Sequence, residues 1–404
     1  MAHAVDQRIW AEIDLDAIAH NMRLVRGVVP YGAKLMAVVK ADGYGHGAPE
    51  ISGVLLSNGA DAFGVAVCGE GVRLREAGVT VPILVLGRAP ACDHGAAVEH
   101  GLSLTIINKK DAALLSGLAV RRGATAGVHV KIDTGLNRLG FAITDDTADD
   151  IEYVCSLPNL RVEGIFTHFA VSESAAYEDA DFTRGQYEKF TRFIDALRRR
   201  GIMMPVSHVS NSGAVLNHPE MSCGMARPGL LLYGMTPAGS GVVLPGLRPA
   251  MKLSARVSRV FEIGPGESVS YGRTYRTEGV RRIATVAAGY ADGYPRSLGN
   301  RGRVIVNGSY ADVVGTVCMD LLTIDVTGVG GVRVDDEAIL IGSDGTNSIT
   351  ADEVARHAGT VNYEIVCGIN KRVPRAYVRN GTVCVITGGF ADGRDQPSSG
   401  LVQE

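Results

Sequence analysis

The sequence lacks any apolar stretch that approaches the roughly 18 uninterrupted residues a membrane helix requires. Its seven cysteines are scattered and odd in number, without a C-x-x-C pair or a zinc-type spacing. The N-terminal segment MAHAVDQRIWAEIDLD acquires charge before an apolar core can form, which argues against a signal peptide. We therefore expect a cytoplasmic protein with reduced thiols, no membrane association and no metal site.

The chain also lacks an excess of charge of either sign. It has 40 basic and 43 acidic residues, well mixed along its length, which gives a net charge of −3 and does not favour binding to nucleic acid. Hydrophobic residues make up 46% and charged residues 21%, a balance that excludes disordered, collagenous and coiled-coil chains. Glycine is in excess, with 51 in 404 residues, and predicts tight turns and close approach of backbone to a ligand.

Eight short apolar runs recur along the first part of the chain at the spacing of strand-helix units. Most are continuous and rich in β-branched residues, as expected for parallel strands that are buried on both faces. They occupy residues 34–40, 61–67, 82–87, 102–107, 128–133, 162–169, 206–211 and 224–227. Eight such units in about 230 residues predict a TIM (β/α)8 barrel.

The pattern changes after residue 233. The segment 235–251 is rich in proline and glycine and predicts a domain boundary. Closely spaced strand-like segments follow and predict a mainly antiparallel β-domain: KLSARVSRVFEI, RRIATVAAG, GRVIVNG, ADVVGTV, LLTIDV, EAILIG and TVCVITG. Thr350 and Glu353 form a capping-box pattern that predicts one helix among them. The expected domains are a barrel over 13–245, a β-domain over 246–390 that pairs with residues 1–12, and a tail over 391–404.

Polar residues stand at the carboxyl ends of the predicted barrel strands, where barrel enzymes carry their chemistry. A single cation at such a position is more often a solvated or salt-bridged group, but several at one rim favour a binding site. They are Lys40 after the first strand, Lys131, Asp133 and Arg138 at the fifth, His168 at the sixth, Asn211 and Ser212 after the seventh, and Arg227 at the eighth.

Two of these positions allow more than one interpretation. Lys40 follows four apolar residues and precedes a glycine-rich turn, so it is either an amine that loses its proton and forms a Schiff base, or a partner of Asp42. The loops SNSGAVL and RPGLLLYG offer hydroxyl and backbone N–H groups at helix starts, where phosphate binds well. The alternative for the first loop is plain helix capping by Ser212.

At this point a resemblance to the alanine racemase family is plain along essentially the whole chain. The matching segments are WAEIDLDAIAHN, AVVKADGYGHG, LREAG, PILVLG, VKIDTGLNRLGF, EGIFTHFA, HVSNSGAVL, RPGLLLYG, VSYGRTY, GYADGYPR, GTVCMD and GTVNYEIVCGI. The departures are minor and include CGEGVRL, where the family segment is richer in helix formers. The resemblance implies an isomerase of the barrel-plus-β-domain type that uses pyridoxal 5'-phosphate.

The resemblance assigns the two catalytic groups to Lys40 and Tyr271. Lys40 would carry the cofactor and act as the base on one face of the substrate's external aldimine, and Tyr271 would act on the other. Racemisation needs two such groups because a proton leaves one side and returns on the other. His168 would support Tyr271 by hydrogen bonding, and Arg227 would face the pyridine nitrogen. From the strand pattern alone, Tyr271 is an ordinary strand tyrosine.

The remaining site residues follow from the same resemblance. It implies that Arg138 binds the substrate carboxylate, and it aligns Lys131 with a lysine that is carbamylated in many family members, whereas the residues alone allow an unmodified Lys131 paired with Asp133. The cofactor would be bound by Tyr44, His168, Asn211, Ser212, Arg227, Gly229, Leu230 and Tyr363, and the substrate region would include Met319, Tyr290 and Asp320.

The resemblance further implies a head-to-tail homodimer, in which each site uses one subunit's barrel and the other's β-domain. The implied reaction interconverts L- and D-alanine, a small amino-acid substrate, and supplies peptidoglycan synthesis. Tyr363 and Tyr290 are bulky and favour alanine over larger substrates. The alternatives are a serine or broad-specificity racemase of the same fold, a barrel-type decarboxylase, against which KIDTGLNRLG and VSYGRTY weigh, and a non-catalytic cofactor carrier, which would lack the β-domain.

Overall fold

The computed structural model of the chain describes residues 7–389. These residues form two compact units. The barrel unit comprises Ile18–Gly43 and Ala48–Arg248, and the β unit comprises the described parts of residues 1–17, 44–47 and 249–404. The expected tail over 391–404 and the first six residues of the 1–12 segment lie outside the described residues.

The first strand, β1 (Ile9–Asp14), belongs to the β unit. The next nine strands build the barrel unit and confirm all eight predicted runs, with one short additional strand, β7. They are β2 (Lys34–Val38), β3 (Ala62–Val65), β4 (Ile83–Val85), β5 (Ser103–Ile106), β6 (Ala126–Asp133), β7 (Phe141–Ala142), β8 (Leu160–Phe166), β9 (Ser207–His208) and β10 (Met225–Ala226).

The barrel strands are parallel and run in the order β10-β2-β3-β4-β5-β6-β8-β9, with β7 paired to β6. The two end strands approach each other, since the backbone N–H of Arg227, directly after β10, donates to the carbonyl of Ser210, shortly after β9, at 2.8 Å. The result is the near-closed barrel that the sequence predicts. Its interior contains one apolar cluster contributed by five strands, which comprises Met36, Ala62, Leu84, Phe166 and Met225.

Helices connect the barrel strands and bury one face each. In the longest helix, the buried residues Gln186, Phe190, Phe193 and Leu197 recur at helical spacing. The helices are α1 (Leu15–Val28), α2 (Lys40–Tyr44), α3 (Ala48–Ser57), α4 (Cys68–Glu76), α5 (His94–Glu99), α6 (Lys109–Arg121), α7 (Thr147–Ser156), α8 (Tyr177–Arg199) and α9 (Ser212–Asn217). Of these, α2 is a single turn with left-handed backbone.

The β unit is mainly antiparallel, as predicted, and contains strands that the sequence pattern missed, among them β12, β13, β19 and β20. Its strands after β1 are β11 (Met251–Ile263), β12 (Ser268–Val269), β13 (Tyr275–Arg276), β14 (Arg281–Val286), β15 (Arg303–Val306), β16 (Ser309–Asp312), β17 (Leu322–Asp325), β18 (Glu337–Ser343), β19 (Ser348–Ile349), β20 (Arg375–Arg379) and β21 (Thr382–Thr387).

The main sheet of the β unit has the order β16-β15-β18-β11-β1-β20-β21. Strand β1 lies antiparallel to β11 and parallel to β20, and β14 joins β11 to β17. Helices α10 (Ala351–Ala358) and α11 (Asn362–Gly368) complete the unit. The predicted cap is confirmed, because the hydroxyl of Thr350 accepts a hydrogen bond from the backbone N–H of Glu353 at 3.1 Å.

The segment ADVVGTV is not one strand, contrary to the sequence pattern. Strand β16 ends at Asp312, and Gly315 adopts a φ of +79° in the following turn. A Cβ at Gly315 would lie 2.7 Å from the carbonyl oxygen of Val269, so the backbones approach too closely for another residue. Among residues 7–389, no helix is long and apolar enough to span a membrane, and no cluster of three or more His, Cys, Asp or Glu side chains could hold a metal ion.

Candidate active site

Lys40 follows the first barrel strand and begins a left-handed turn. Ala41, Asp42 and Gly43 have φ values of 52°, 55° and 63°, in the region that non-glycine residues rarely adopt. Two of these residues carry a Cβ, and left-handed helical backbone costs roughly 1–2 kcal/mol for each such residue. The turn is closed by a hydrogen bond of 2.7 Å from the N–H of Gly43 to the carbonyl of Val39. The Asp42 carboxylate accepts a bond from the N–H of Ala48 at 3.2 Å.

Strand β6 delivers Lys131 and Asp133 to the same rim of the barrel. The Asp133 carboxylate accepts hydrogen bonds from the backbone N–H groups of Gly135, Asn137 and Arg138 at 2.9 to 3.1 Å. Burial raises the pKa of Asp133, but these bonds and the charge of Lys131 outweigh it and hold the pKa below its usual value. Asp133 therefore organises the turn that leads to Arg138 and, as the alternative for Lys131 proposed, also interacts with Lys131 through its charge.

Lys131 itself is buried, with 5% of its surface exposed, and its ammonium group lies 5.3 Å from the centre of the Phe166 ring. Burial, followed by the charges of Arg138 and Arg227, lowers the pKa of Lys131 to about 8. At pH 7, a lysine with this pKa is a neutral amine in roughly a tenth of the protein molecules. Neutral amine is the form that reacts with electrophiles such as carbon dioxide.

Arg227 lies just after β10 and is 4% exposed. One terminal nitrogen of its guanidinium donates to the carbonyls of Thr167 and Val209, each at 2.9 Å, and lies 3.3 Å from Nδ1 of His168. The other donates to Nδ1 of His208 at 2.9 Å. Burial lowers the pKa of Arg227 to about 10, which leaves it protonated at neutral pH. A guanidinium has no acceptor atom, so Nδ1 of each histidine accepts, and each imidazole carries its proton on Nε2.

The hydrogen-bond chain continues from His208 into the barrel interior. Nε2 of His208 lies 2.9 Å from Nδ1 of His129 and donates to it, and Nε2 of His129 in turn lies 4.0 Å from the Glu163 carboxylate. The His208 ring stacks on Phe166 with 4.8 Å between the ring centres. Burial, then the charge of Arg227, lowers the pKa of His208 well below its usual value. Burial likewise lowers the pKa of His129 to about 4, although Glu163 opposes the shift.

Ser212 and Asn211 open the short helix α9 with different roles. The N-cap is Asn211, whose side-chain oxygen accepts from the N–H of Ala214 at 2.9 Å. The Ser212 hydroxyl instead accepts from the N–H of Gly229 at 2.9 Å, so the alternative of helix capping by Ser212 is wrong. This bond joins the loops that follow the seventh and eighth barrel strands. Because Ser212 is the acceptor, its hydroxyl proton remains for donation to an anion. Gly229 precedes Leu230, which begins a buried 3₁₀ turn over Leu230–Tyr233.

The cations of the barrel unit act on one another. After burial, the charges that lower the pKa of His168 come from Arg227, Lys131, Arg138 and Lys40. Arg138, Arg227 and Lys40 also lower the pKa of Lys131, whereas the charge of Asp133 raises it. Four cations and one histidine therefore gather at the carboxyl ends of the barrel strands. Such an arrangement favours ligands with more than one negative charge.

In the β unit, Tyr271, Tyr290 and Met319 lie on connected loops. Tyr271 starts a 3₁₀ turn after β12 and is 73% exposed, so it is not an ordinary strand tyrosine. Its carbonyl accepts from the hydroxyl of Thr316 at 2.9 Å. The N–H of Tyr290 donates to the carbonyl of Cys318 at 3.0 Å, and Met319 accepts from Ala291 at 2.9 Å. These bonds connect the loops of Tyr271 and Tyr290 to the loop that contains Met319, and they leave the side chains of Tyr271 and Met319 exposed.

Asp320 belongs to a charged network that anchors these loops. Arg372 bridges Asp320 and Asp292, with nitrogen to oxygen distances of 2.7 Å to each. The Asp292 carboxylate is fully buried, also contacts Arg8, and accepts from the N–H of Gly289 at 2.9 Å. Because Gly289 directly precedes Tyr290, the network fixes the backbone on which that tyrosine is carried.

Tyr44 and Tyr363 also lie together in the β unit. Their ring centres are 6.1 Å apart, with 43° between the ring planes. Burial, then the proximity of Tyr363 and of Cys367, raises the pKa of Tyr44 far above its usual value. The Tyr44 hydroxyl is therefore neutral and acts as a hydrogen-bond donor at physiological pH.

Comparison with known proteins identifies the family. The family model described as alanine racemase, N-terminal domain, matches residues 13–237, and the model described as alanine racemase, C-terminal domain, matches residues 250–377. The chain belongs to the alanine racemase family. The similarity extends to individual members at high coverage. Alanine racemase 1 of Clostridium acetobutylicum is 40% identical over 379 residues, which span 94% of this chain and 97% of the relative.

Other alanine racemases agree in sequence and fold. That of Desulfovibrio desulfuricans is 42% identical, with coverage of 92% of this chain and 99% of the relative. The solved alanine racemase of Clostridium difficile 630 has a TM-score of 0.89 at 35% identity and covers 95% of this chain and 99% of its own. The alanine racemase of Bacillus anthracis, solved with bound L-Ala-P, has a TM-score of 0.88 at 34% identity, with coverage of 95% and 98%.

Several polar residues around the candidate site were missed in the sequence. His129 and His208 lie inside the apolar runs VHVKID and VSHVSN, where a histidine on a buried strand was the only signal. Arg372 stands in a loop without a recognisable pattern, and Asp292 lies in the matching segment GYADGYPR, in which only Tyr290 was given a role. In the barrel unit, the fold connects His208 to Arg227 and His129 to His208. In the β unit, it connects Arg372 to both Asp292 and Asp320.

Proposed function

We propose that this chain interconverts L- and D-alanine with pyridoxal 5'-phosphate as its resident cofactor. Besides its family, the observation that carries the proposal is the gathering of Lys40, Lys131, Arg138 and Arg227 around His168. An amino-acid substrate brings a carboxylate and the cofactor brings a phosphate, so the ligands together supply the negative charge that this cluster attracts.

The residues present fit the cofactor. Lys40 is an amine at a strand end, as attachment of an aldehyde requires. Ser212 keeps a hydroxyl proton for a phosphate oxygen, and the N–H of Leu230 stands at the start of a helical turn. Gly229 would support this contact by donating its own N–H to Ser212. Asn211 would support this loop through its cap, while Tyr44 and Tyr363 would contribute hydroxyl groups to the phosphate. Arg227, held in the charged form, would face the ring nitrogen and keep it unprotonated.

Bound pyridoxal phosphate supplies an electron sink that makes the substrate Cα proton acidic. Lys40 and Tyr271 would then remove and return the proton from opposite faces. His168 accepts from Arg227 through Nδ1 and so presents an Nε2–H donor, which would stabilise the oxygen of Tyr271 when that oxygen holds no proton.

The substrate carboxylate would be bound by Arg138, on the turn that Asp133 organises, and by the backbone N–H of Met319. The lowered pKa of Lys131 supports its carbamylation, in which the amine nitrogen adds to carbon dioxide and a proton is released. The resulting anion would attract Arg138, whereas the ammonium form repels it. Tyr290 and Asp320 would line the approach to the substrate.

We include in the proposal a homodimer with shared sites. Tyr271 and Met319 are 73% and 53% exposed, and Tyr290 and Leu321 are also exposed. The β unit therefore carries its catalytic candidate on an uncovered apolar surface. A partner subunit's barrel would cover it. Mixing Lys40→Ala with Tyr271→Ala chains should restore part of the activity, because one of the two hybrid sites is intact. No recovery after proven subunit exchange would contradict shared sites.

The substrate assignment is tested by chiral chromatography of L-alanine, L-serine, L-lysine and L-arginine incubated with the enzyme, with and without added cofactor. Alanine should turn over fastest, because Tyr363 and Tyr290 limit the space for a side chain. Faster turnover of serine or of a larger amino acid would favour the broader racemase. We also propose that the D-alanine supplies peptidoglycan, which is tested by rescue of a bacterium that requires external D-alanine.

A further inference from the structure

Both residues next to Lys40 form hydrogen bonds to neighbouring elements, one to the second barrel strand, β3, and the other to helix α4, which follows β3. On the N-terminal side, the N–H of Val39 donates to the carbonyl of Gly64 at 2.9 Å. On the C-terminal side, the N–H of Ala41 donates to the carboxylate of Glu70 at 2.6 Å. The second bond is unusual, because a side chain takes the place of a backbone acceptor at the entrance to the left-handed turn.

Glu70 joins the ends of two neighbouring strands through one carboxylate. Its other oxygen accepts from the N–H of Ala66 at 2.8 Å, directly after β3, and from that of Val67 at 3.4 Å. Glu70 lies in the first turn of α4 and is partly buried. The Val67 contact is the one expected of a helix cap, and it is the longest of the three. Capping alone therefore does not account for the position of this carboxylate.

The bond to Ala41 acts on the peptide group that Lys40 shares with Ala41. Fixing the plane of this peptide fixes the ψ angle of Lys40 and, with the Val39 bond, the direction in which the lysine side chain leaves the backbone. One turn along α4 from Glu70, Arg73 contacts Asp42 at 3.4 Å, but that pair is largely exposed and contributes little. Glu70 is thus the side chain that contacts the backbone at the entrance to the left-handed turn, which the Gly43 to Val39 bond closes.

We propose that Glu70 is a positioning residue that sets the orientation of the Lys40 amine for attachment of the cofactor and for proton transfer. The inference rests on the proposed function of Lys40. Glu70 touches neither substrate nor cofactor and acts through the backbone of Ala41. A misplacement of about 1 Å at a reacting group costs up to roughly a hundredfold in rate, so a contact of this kind has a measurable effect.

The test compares Glu70→Gln with the matched control Glu76→Gln, an exposed position at the other end of the same helix. Glutamine has nearly the same shape but keeps only one acceptor oxygen, so it cannot accept from both Ala41 and Ala66. The first readout is the rate at which pyridoxal phosphate becomes fixable to Lys40 by borohydride in the full chain. We expect Glu70→Gln to lower that rate about ten- to a hundredfold, and Glu76→Gln to leave it unchanged.

The second readout is hydrogen exchange at the Ala41 amide, followed by mass spectrometry, together with kcat and KM for alanine. We expect faster exchange at Ala41 and a lower kcat with little change in KM. A lower melting temperature with unchanged fixation rate and unchanged exchange would show a structural role only and would overturn the inference. If the unaltered chain attaches no cofactor, the proposed function fails, whereas exchange at Ala41 still reports on the Glu70 contact. If Glu70→Gln does not fold, Glu70→Asp is measured in its place and should show the same changes.

Discussion

Arg227 donates a 2.9 Å hydrogen bond to Nδ1 of His208, and this bond fixes the protons of the neighbouring imidazole rings. Arginine offers only donors, so His208 must be protonated on Nε2, and it then donates to His129. The same argument places the proton of His168 on Nε2. The buried Arg227 cation thus contacts neutral imidazole rings, and its guanidinium determines which ring nitrogen donates in each of these hydrogen bonds.

The first prediction concerns the protonation of His129 and His208. Burial lowers the pKa of His129 to about 4 and that of His208 well below its usual value, so neither ring gains a proton between pH 5.5 and 8, a window about 1.5 units or more above the His129 value. Nitrogen-15 NMR of the imidazoles in the unliganded protein should show both rings neutral, with the proton on Nε2. Titration of either ring near pH 6.5 would contradict the assigned chain.

The second prediction follows from linkage. His129, His168 and His208 have lowered pKa values in the folded state, so below about pH 6.5 the unfolded chain binds protons that the folded chain does not. The free energy of unfolding should therefore fall as pH falls from 6.5 towards 5, by up to about 1.4 kcal/mol per pH unit for each ring. Urea unfolding across this range measures it. A flat profile would contradict the prediction.

The third prediction concerns the shape of the Arg227 guanidinium. Arg227→Lys keeps the charge but cannot reach Thr167, Val209 and His208 together. Lysine would therefore not hold a charged donor at the ring nitrogen. A charged hydrogen bond of that kind is worth about 1.5–3 kcal/mol, so the affinity for pyridoxal phosphate should fall about ten- to a hundredfold. Fluorescence titration of the cofactor-free protein measures it, with the exposed Arg121→Lys as control. Unchanged affinity would remove Arg227 from the cofactor site.

The fourth prediction separates the phosphate from the rest of the cofactor. Ser212→Ala removes the acceptor for Gly229 and the proton available to an anion. The variant should lose about 1–3 kcal/mol of unfolding free energy, since a buried N–H is left without its partner. It should also bind pyridoxal phosphate more weakly while its affinity for pyridoxal changes little. The exposed Ser57→Ala serves as control. Equal losses for both compounds would show that Ser212 does not contact the phosphate.

The fifth prediction concerns the buried charge of Lys131. Its pKa is about 8 in the folded state against an ordinary 10.5, so the protonated form destabilises the fold below pH 8. In buffer free of carbon dioxide, Lys131→Met should stabilise the unliganded protein at pH 7 by up to about 3 kcal/mol. The gain should shrink as pH rises through 8 and vanish above about 10.5. Lys110→Met, at an exposed position, is the control.

The same residue offers a direct test of carbamylation. In carbon-13 bicarbonate the unaltered chain should show a carbamate signal that Lys131→Met lacks. A chain that gains no such signal, together with a stability profile unaffected by Lys131→Met, would contradict both the lowered pKa and the proposed carbamate.

The barrel was predictable because parallel buried strands produce continuous apolar runs at regular spacing, and these runs end where the polar candidates begin. The sequence could not show how those candidates use their hydrogen bonds. The pairing of Asp133 with Lys131 was one alternative, and Asp133 acts on Lys131 through its charge, but the sequence did not show that three backbone N–H groups also occupy its carboxylate. Capping by Ser212 was the alternative for its loop, yet Asn211 is the cap and Ser212 joins a distant loop. Such choices depend on contacts between residues far apart in the chain.

The β unit was harder to predict in detail. Its short strands share the alternating pattern with loops, so β12, β13, β19 and β20 were missed and ADVVGTV was read through the turn at Gly315. Motif resemblance singled out Tyr271, whereas the local pattern indicated a strand. The structure places it in an exposed 3₁₀ turn, where the side chain is free of the sheet.

The central claim, that Lys40 takes part in proton exchange at the alanine Cα, is tested most directly in deuterium oxide. Cofactor-loaded enzyme and L-alanine should yield D-alanine that carries deuterium at Cα, followed by proton NMR and chiral chromatography. Lys40→Ala should form neither D-alanine nor deuterated alanine, while the exposed Lys34→Ala, at the start of the same strand, should behave as the unaltered chain. Racemisation that persists in Lys40→Ala, or an unaltered chain that exchanges no Cα proton, would contradict the account.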